Sequence, residues 1–297
     1  MRLIDLHVHS NASDGTCTPS QVVDLAVKKG LSAIALTDHD TIDGIPEAQS
    51  AAAGLPLEVI PGIELSCVYE RGEIHILGLY VDPGDERFRA ETDALKEIRE
   101  RRNEEIIRRF QESGISITLE EVMAGNPHTV ITRAHFARIL LEKGYVSSMD
   151  QAFRKYLDYS GPYCPRKEKI TPEHAMKILT DCKASPVLAH PYQYRLGDKK
   201  TEELVRYLTA LGLQGLEVYH SSNNQYESGK LKKLAKQYGL FPTGGSDFHG
   251  SNKPDIDLGS GRGGLRISSL LLDDIKKRRL SQSSPHPYSG QAPLQNK

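Results

Sequence analysis

Histidines and carboxylates recur where short apolar runs end, and that placement restricts the fold more than any other feature of the chain. The sequence opens with Asp5-Leu6-His7-Val8-His9, and Asp14 follows closely. It continues with Thr37-Asp38-His39-Asp40, Gly62-Ile63-Glu64 and His75. Far downstream come Ala189-His190-Pro191 and Ser246-Asp247-Phe248-His249. A lone histidine is more often an ordinary interior or surface residue than a ligand. Here several clusters, far apart in sequence, share one position relative to apolar runs. Strand ends that meet at a single rim explain all of them together.

The runs at residues 3–9, 33–38, 58–65, 74–81, 186–190, 215–219 and 241–247 read as strands. Helix signals lie between most of them. Thr18-Pro19-Ser20-Gln21 is a capping box with proline at the first helical position, and Gly30 closes that helix. Thr171-Pro172 opens another helix in the same style, and residues 204–211 and 226–238 form two more, ended by Gly212 and Gly239. Alternating strand and helix predicts an α/β fold with a parallel sheet, and seven units predict a closed barrel. Residues 88–183 break the alternation with a charged helix over 88–113, a capping box at Thr118, and an amphipathic helix over 132–143. The expected organisation is a barrel from residues 1–87 and 184–280, with a helical insertion, 88–183, between strands 4 and 5 acting as a substrate cap. The Ser-, Pro- and Gln-rich tail, 281–297, is expected to be disordered, with no role for His286.

Composition narrows the class. A net charge of −1 over 297 residues exerts no global pull on nucleic acid or membrane, so double-stranded DNA and membrane partners are not expected, nor is an obligate protein partner. No apolar stretch approaches the length of a membrane span, and the start of the chain lacks signal-peptide architecture. Cys17, Cys67, Cys164 and Cys182 form no CxxC pair and read as reduced thiols, which suits a cytoplasmic protein.

Side chains alternate along a strand, so Asp5, His7 and His9 share one face and two histidines at i, i+2 can hold one ion. Chemistry in barrels sits at strand C-termini. Histidine, aspartate and glutamate are the usual ligands of Zn, Mn and Fe. Asp38 and Asp40 could orient an imidazole, or, for Asp40, simply serve a turn.

The segments HVHSNASDGT, ALTDHDTIDG, GIELS, LAHP and GSDFHG together resemble the motifs of the PHP (polymerase and histidinol phosphatase) family of metal-dependent phosphoesterases, over about residues 1–82 and 184–263. The resemblance implies a distorted (β/α)7 barrel with two or three divalent metal ions, Mn, Fe or Zn. It places His7, His9, Glu64 and Asp247 on the first metal. Glu64 would bridge to a second, completed by His75 and His190, and Asp14, His39 and His249 would hold a third. His7, His9, Glu64, His190 and Asp247 would form the catalytic set. Such a centre generates hydroxide at neutral pH and neutralises phosphoryl charge.

Within the family, an insertion at this point resembles a subgroup that removes the 3′-phosphate of 3′,5′-bisphosphonucleotides or trims short RNA from its 5′ end. Thr132-Arg133-Ala134-His135-Phe136-Ala137-Arg138 resembles its insertion motif. Arg133 and His135 on a first helical turn, with Lys167 in Tyr163-Cys164-Pro165-Arg166-Lys167, are the expected substrate-binding residues. The run Arg99–Arg109, interleaved with glutamate, reads as a solvent-facing helix held by i,i+4 pairs. The Gly259–Gly264 run lacks a P-loop lysine and reads as a flexible closing loop, and His220 could approach the site without a ligand role. Two rivals remain: a phosphomonoesterase for another small metabolite such as histidinol phosphate, and a non-catalytic PHP binding module.

Overall fold

The computed structural model describes residues 2–70, 72–123, 125–158, 161–165 and 170–283. Seven strands form one sheet in chain order: β1 (Leu3–Val8), β2 (Leu31–Leu36), β3 (Glu58–Tyr69), β4 (Gly72–Leu79), β5 (Ser185–Leu188), β6 (Gly215–His220) and β7 (Phe241–Gly245). Helices α1 (Pro19–Lys28) and α2 (Ile45–Ala51) follow β1 and β2. Five helices separate β4 from β5: α3 (Glu86–Glu112), α4 (Leu119–Met123), α5 (Arg133–Glu142), α6 (Met149–Lys155) and α7 (Pro172–Asp181). Helices α8 (Asp198–Ala210) and α9 (Gln225–Gln237) follow β5 and β6, and α10 (Ser269–Ser283) ends the described chain. The result is a distorted (β/α)7 barrel carrying a helical insertion between the fourth and fifth strands.

The sheet is not wholly parallel. β4 runs antiparallel to both β3 and β5, whereas the other neighbours are parallel. The cause is the short link between Tyr69 and Gly72. A parallel return needs a crossover of a dozen or more residues, so β4 has to fold back as a hairpin. Reversal brings the first half of β4 to the rim where the other strands end, and His75 pairs with Ser66 there.

The barrel closes where β1 meets the segments that follow β7, through short contacts at each end. At the rim, Asp247 donates its N–H to His7 O at 2.9 Å, and His9 donates to Phe248 O at 3.0 Å. At the other end, Ile4 N donates to Ile267 O at 3.0 Å. Gly245 permits the approach, because a Cβ there would stand 2.2 Å from His7 Cβ. Ile4, Leu6, Ala33, Ala35, Ile60, Leu77, Val187 and Phe241 come from strands all around the sheet and meet in one cluster, which places them in the barrel interior. Leu272 and Ile275 of α10 join that cluster. Arg278 and Arg279 of the same helix bond the carbonyls of Gly239 and Lys183, just before β7 and β5, so α10 plugs the end away from the rim. This helix runs past Leu280, where the tail was expected to begin. Residues 284–297, His286 included, lie outside the described residues.

The inserted helices divide between two cores. Phe88 and Leu95 of α3, with Ala175, Met176 and Leu179 of α7, pack on Ile63, Leu65, Ile74 and Ile76 of the barrel. Ile106 and Phe110, farther along α3, join Val122, Phe136, Leu140, Leu157 and Cys164 in a separate core. α3 therefore belongs to both bodies and fixes one on the other.

Candidate metal centre

Every ligand-type residue expected at the rim is there. His7 is the next-to-last residue of β1 and His9 lies just past its end, and their Nε2 atoms are 3.1 Å apart, as alternation of side chains at i and i+2 allows. Glu64 of β3 is the hub. Its Oε2 lies 3.2 Å from His7 Nε2, 3.0 Å from His9 Nε2 and 3.3 Å from His39 Nδ1. Its Oε1 lies 2.8 Å from His75 Nδ1 and 3.0 Å from His190 Nε2. Asp247 Oδ1 stands 3.6 Å from His7 Nε2 and 3.5 Å from His9 Nε2. On the far side, Asp14 Oδ1 reaches His249 Nε2 at 3.1 Å, and its Oδ2 faces His39 Nε2 at 3.7 Å.

Three overlapping groups follow, each with one donor atom per residue and all atoms within 4.8 Å: His7, His9, Glu64 and Asp247; His39, Glu64 and His75; and His9, Asp14, His39 and His249. His190 shares Glu64 with the second group. Glu64 Oε2 is buried and forms no hydrogen bond despite three imidazole nitrogens around it, and the same holds for His39 Nδ1. Lone pairs converging without donors fit a bound cation, and an all-N/O donor set suits divalent metal ions.

Burial opposes charge on Asp14 and Glu64, but the surrounding imidazoles hold both carboxyls well below the usual range. For Asp247, burial is outweighed by Lys253, His249 and His7. Burial lowers His9 and His39 and pushes His190 down to about 4, leaving them in the neutral, ligating form. His7 differs: burial opposes its proton, yet Glu64, Glu217 and Asp247 raise its pKa well above the ordinary value. His190 and Asp247 also sit at positive φ, 25° and 59°. Such strain in non-glycine residues collects where a side chain must be aimed.

Several functional contacts were missed in the sequence. Glu217 of β6 bonds His7 Nδ1 at 3.0 Å and takes the backbone N–H of His190 at 2.7 Å. Its signal was a charge inside an apolar run. Glu73 bonds His75 Nε2 at 2.7 Å and so turns Nδ1 toward Glu64. Lys253 donates to Asp247 Oδ2 at 2.6 Å. Asp38 and Asp40 do not orient imidazoles. Asp38 accepts from Ser10 and Ser13 and holds the loop after β1, while Asp40 accepts from Arg99 Nε at 2.5 Å.

Arg99 and Arg102 overturn the solvent-facing reading of α3. Both are buried, at 7% and 3% exposure. With Leu95 and Ile106 they occupy one face at i, i+4, i+7 and i+11, so they sit on the buried stripe. The more exposed members of the run pair as expected, Arg101 with Glu97 and Arg108 and Arg109 with Glu105 and Glu112. The Gly259–Gly264 loop is likewise held: Gly259 donates to Asp5, and Asp257 and Gly261 exchange backbone bonds.

The insertion meets the rim directly. Val130 N donates to Ala12 O at 2.8 Å, and Thr132 Oγ1 donates to Asp14 Oδ2 at 2.9 Å. A cavity of about 310 Å³ lies between them, lined by Asp14, His39, His75, Arg99, Arg102, Arg133 and Lys253. Arg133 reaches it while bonding Leu157 O at 3.2 Å. His135 does not line it. Its Nδ1 accepts the Thr132 N–H at 3.1 Å in a capping box, and burial lowers its pKa to about 4. Lys167 and Arg166 lie outside the described residues.

Known proteins resemble this chain over most of its length. The PHP domain profile matches residues 5–211. The chain is 34% identical over 261 residues to 3′,5′-nucleoside bisphosphate phosphatase of Chromobacterium violaceum, covering 87% of this chain and 91% of that protein. It is 36% identical over 262 residues to the 5′-3′ exoribonuclease Rnm of Escherichia coli, covering 86% and 88%. A solved structure from Bifidobacterium adolescentis is 29% identical with a TM-score of 0.80, covering 96% of this chain and 97% of that one. Matched by the family profile over most of its length and by full-length relatives above 30% identity, the chain belongs to the PHP domain family.

Proposed function

We propose that this chain is a metal-dependent phosphoesterase that hydrolyses small phosphorylated nucleotides, either a 3′,5′-bisphosphonucleotide such as pAp or short 5′-phosphorylated RNA. The observation that carries the reading is the pairing of a convergent donor cluster with an adjoining cavity lined by Arg99, Arg102, Arg133 and Lys253. One phosphate at the donor cluster and a second among the cations account for a bisphosphate. Both relatives named above act on phosphorylated nucleotides or RNA by their descriptions.

Two or three ions of Mn, Fe or Zn fit the donors. His7, His9, Glu64 and Asp247 would hold the first; Glu64, His75 and His190 the second; Asp14, His39 and His249 the third. Bound there, divalent ions lower the pKa of water and neutralise charge on the phosphoryl oxygens. The chain's own residues do the rest. Glu217 fixes the His7 ring, Glu73 fixes His75, and Lys253 holds Asp247. Arg102 and Arg133 face the phosphate that does not react, and the inserted helices, 88–183, cap the rim and exclude water. Free, scattered cysteines support a cytoplasmic setting. No helix among the described residues is long and apolar enough to cross a membrane.

Phosphate release and chain shortening with added Mn²⁺ test this, using pAp, AMP, histidinol phosphate and a 5′-phosphorylated RNA trimer. Turnover of pAp or the trimer well above the others is the expected result. A preference for histidinol phosphate, or no turnover of any substrate with any metal, overturns it.

A further inference from the structure

The metal rim opens on a second side, away from the inserted helices. A cavity of about 440 Å³ starts at Asp247 and Lys253. It is continuous with one of about 690 Å³, because His220, Ser221, Asn223 and Arg262 line both. Each volume falls in the range of ligand sites, and together they form a groove over the loops after β6 and β7. A mononucleotide held between the donor cluster and Arg102 does not need this space.

The groove's chemistry is that of a polyanion site. Lys253, Arg195, Arg262, Lys232 and Arg266 line it. Three acids share the lining, Asp247 paired with Lys253, Asp255 with Arg262 at 3.0 Å, and Glu227 with the backbone N–H of Asn224, which leaves Arg195, Lys232 and Arg266 as the surplus of positive charge. Partly buried Tyr192 and Tyr219 offer aromatic surface along the walls. Cations that track a backbone, interleaved with aromatic faces, are what single-stranded nucleic acid requires. The wall is also firm, since Gly259 is tied to Asp5 and Ser221 Oγ bonds Ser246 O at 2.6 Å.

We propose that, on an RNA substrate, this groove over the loops after β6 and β7 holds the nucleotides that follow the scissile phosphate. The proposal rests on the phosphoesterase reading above and assigns the residues that would carry the rest of the chain. The first nucleotide, with its own 5′-phosphate, occupies the cavity under the inserted helices. Its 3′-phosphate lies at the donor cluster, and the rest of the chain, esterified to that phosphate, runs past Arg262. Water adds to phosphorus, the bond from phosphorus to the first nucleotide's 3′-oxygen breaks, and that oxygen takes a proton from the water. The shortened chain keeps the phosphate at its new 5′ end. A bisphosphonucleotide is the same substrate with the groove left empty, so one site serves both reactions.

The test compares the full chain with a variant carrying Lys232→Ala, Arg262→Ala and Arg266→Ala, none of which touches the donor cluster. Substrates are pAp and 5′-phosphorylated RNAs of two to six nucleotides with Mn²⁺. The native protein should show kcat/KM rising with length before levelling. The variant should lose that rise, falling about tenfold or more on the longer RNAs at low salt, while pAp turnover stays within about twofold. Equal loss on pAp and RNA, or no loss on RNA, overturns the track. If the native protein hydrolyses pAp but gains nothing from added nucleotides, the track falls and the phosphatase reading stands. If it hydrolyses neither, both fall.

Discussion

Glu217 meets His7 Nδ1 at 3.0 Å inside the barrel, and both side chains are wholly buried. That contact fixes which nitrogen of His7 faces Glu64 and Asp247. A ligating imidazole held this way is more basic and is already aimed. Glu217→Gln keeps the shape but loses the charge. Its metal affinity should fall about 10- to 100-fold, with a near-native circular dichroism spectrum. Titration of the metal-free protein with Mn²⁺ or Zn²⁺ reads this directly, and unchanged affinity would reduce Glu217 to a space-filling role.

The donor set was legible because strand alternation and short spacings are local. His7 and His9 announce a shared face, and Asp247 and His249 repeat the device after β7. The direction of β4 was not legible, because Glu70 and Arg71 carry no Asn-Gly or Asp-Gly hairpin signal. The fate of α3 was misread for a different reason. Alternating charge along residues 99–109 imitates a solvated helix, yet tertiary packing turned Arg99 and Arg102 inward, where Asp40, Asn103 and the Ile131 carbonyl receive them. Lys253 had no signal, since its partner Asp247 meets it only through the turn after β7.

Metal binding should release protons. Glu64, Glu217 and Asp247 outweigh burial and raise the His7 pKa well above its ordinary value, which favours a proton on the ring. A ligand imidazole must be neutral, so binding expels it. The sign follows: apparent affinity rises with pH, roughly tenfold per unit, until the raised pKa is passed. Without metal, the stabilisation that His7 contributes is fully present below its unfolded pKa and lost as pH climbs through the folded one. The depressed carboxyls of Asp14, Glu64 and Asp247 act oppositely, losing theirs as pH falls. Calorimetry of metal binding at pH 7 in buffers of different ionisation enthalpy should reveal the released proton. Zero release would mean His7 is neutral beforehand.

Arg99 and Asp40 tie the inserted helices to the barrel. The pair is nearly inaccessible, and Arg99 also donates to Ser66 Oγ at 3.0 Å. Removing one partner leaves a buried charge alone, so Arg99→Ala should cost about 3–5 kcal/mol. Adding Asp40→Asn removes the orphaned charge and should restore part of it. Urea unfolding of the single and double variants checks the order. A double variant no better than Arg99→Ala would show that packing of the arginine stem, not charge, carries the loss.

On the proposed reading, Arg133 tells the two phosphates of a bisphosphonucleotide apart. It opens α5, lines the cavity with Arg102, and is steadied by the Leu157 carbonyl and by Phe153, whose ring centre lies 5.6 Å from its guanidinium. Its position places it beside the donor cluster rather than in it. If it holds only the phosphate that does not react, Arg133→Ala should weaken pAp hydrolysis by about 1.5–3 kcal/mol, the worth of a hydrogen bond to a charged group. Hydrolysis of an aryl phosphate, which lacks that group, should barely change. Loss on both substrates together would assign Arg133 to the reacting phosphate or to the fold. Because Thr132, its neighbour, bonds Asp14, metal content of the variant must be measured alongside. Native metal content with a loss confined to pAp is the outcome that fixes Arg133 on the remote phosphate.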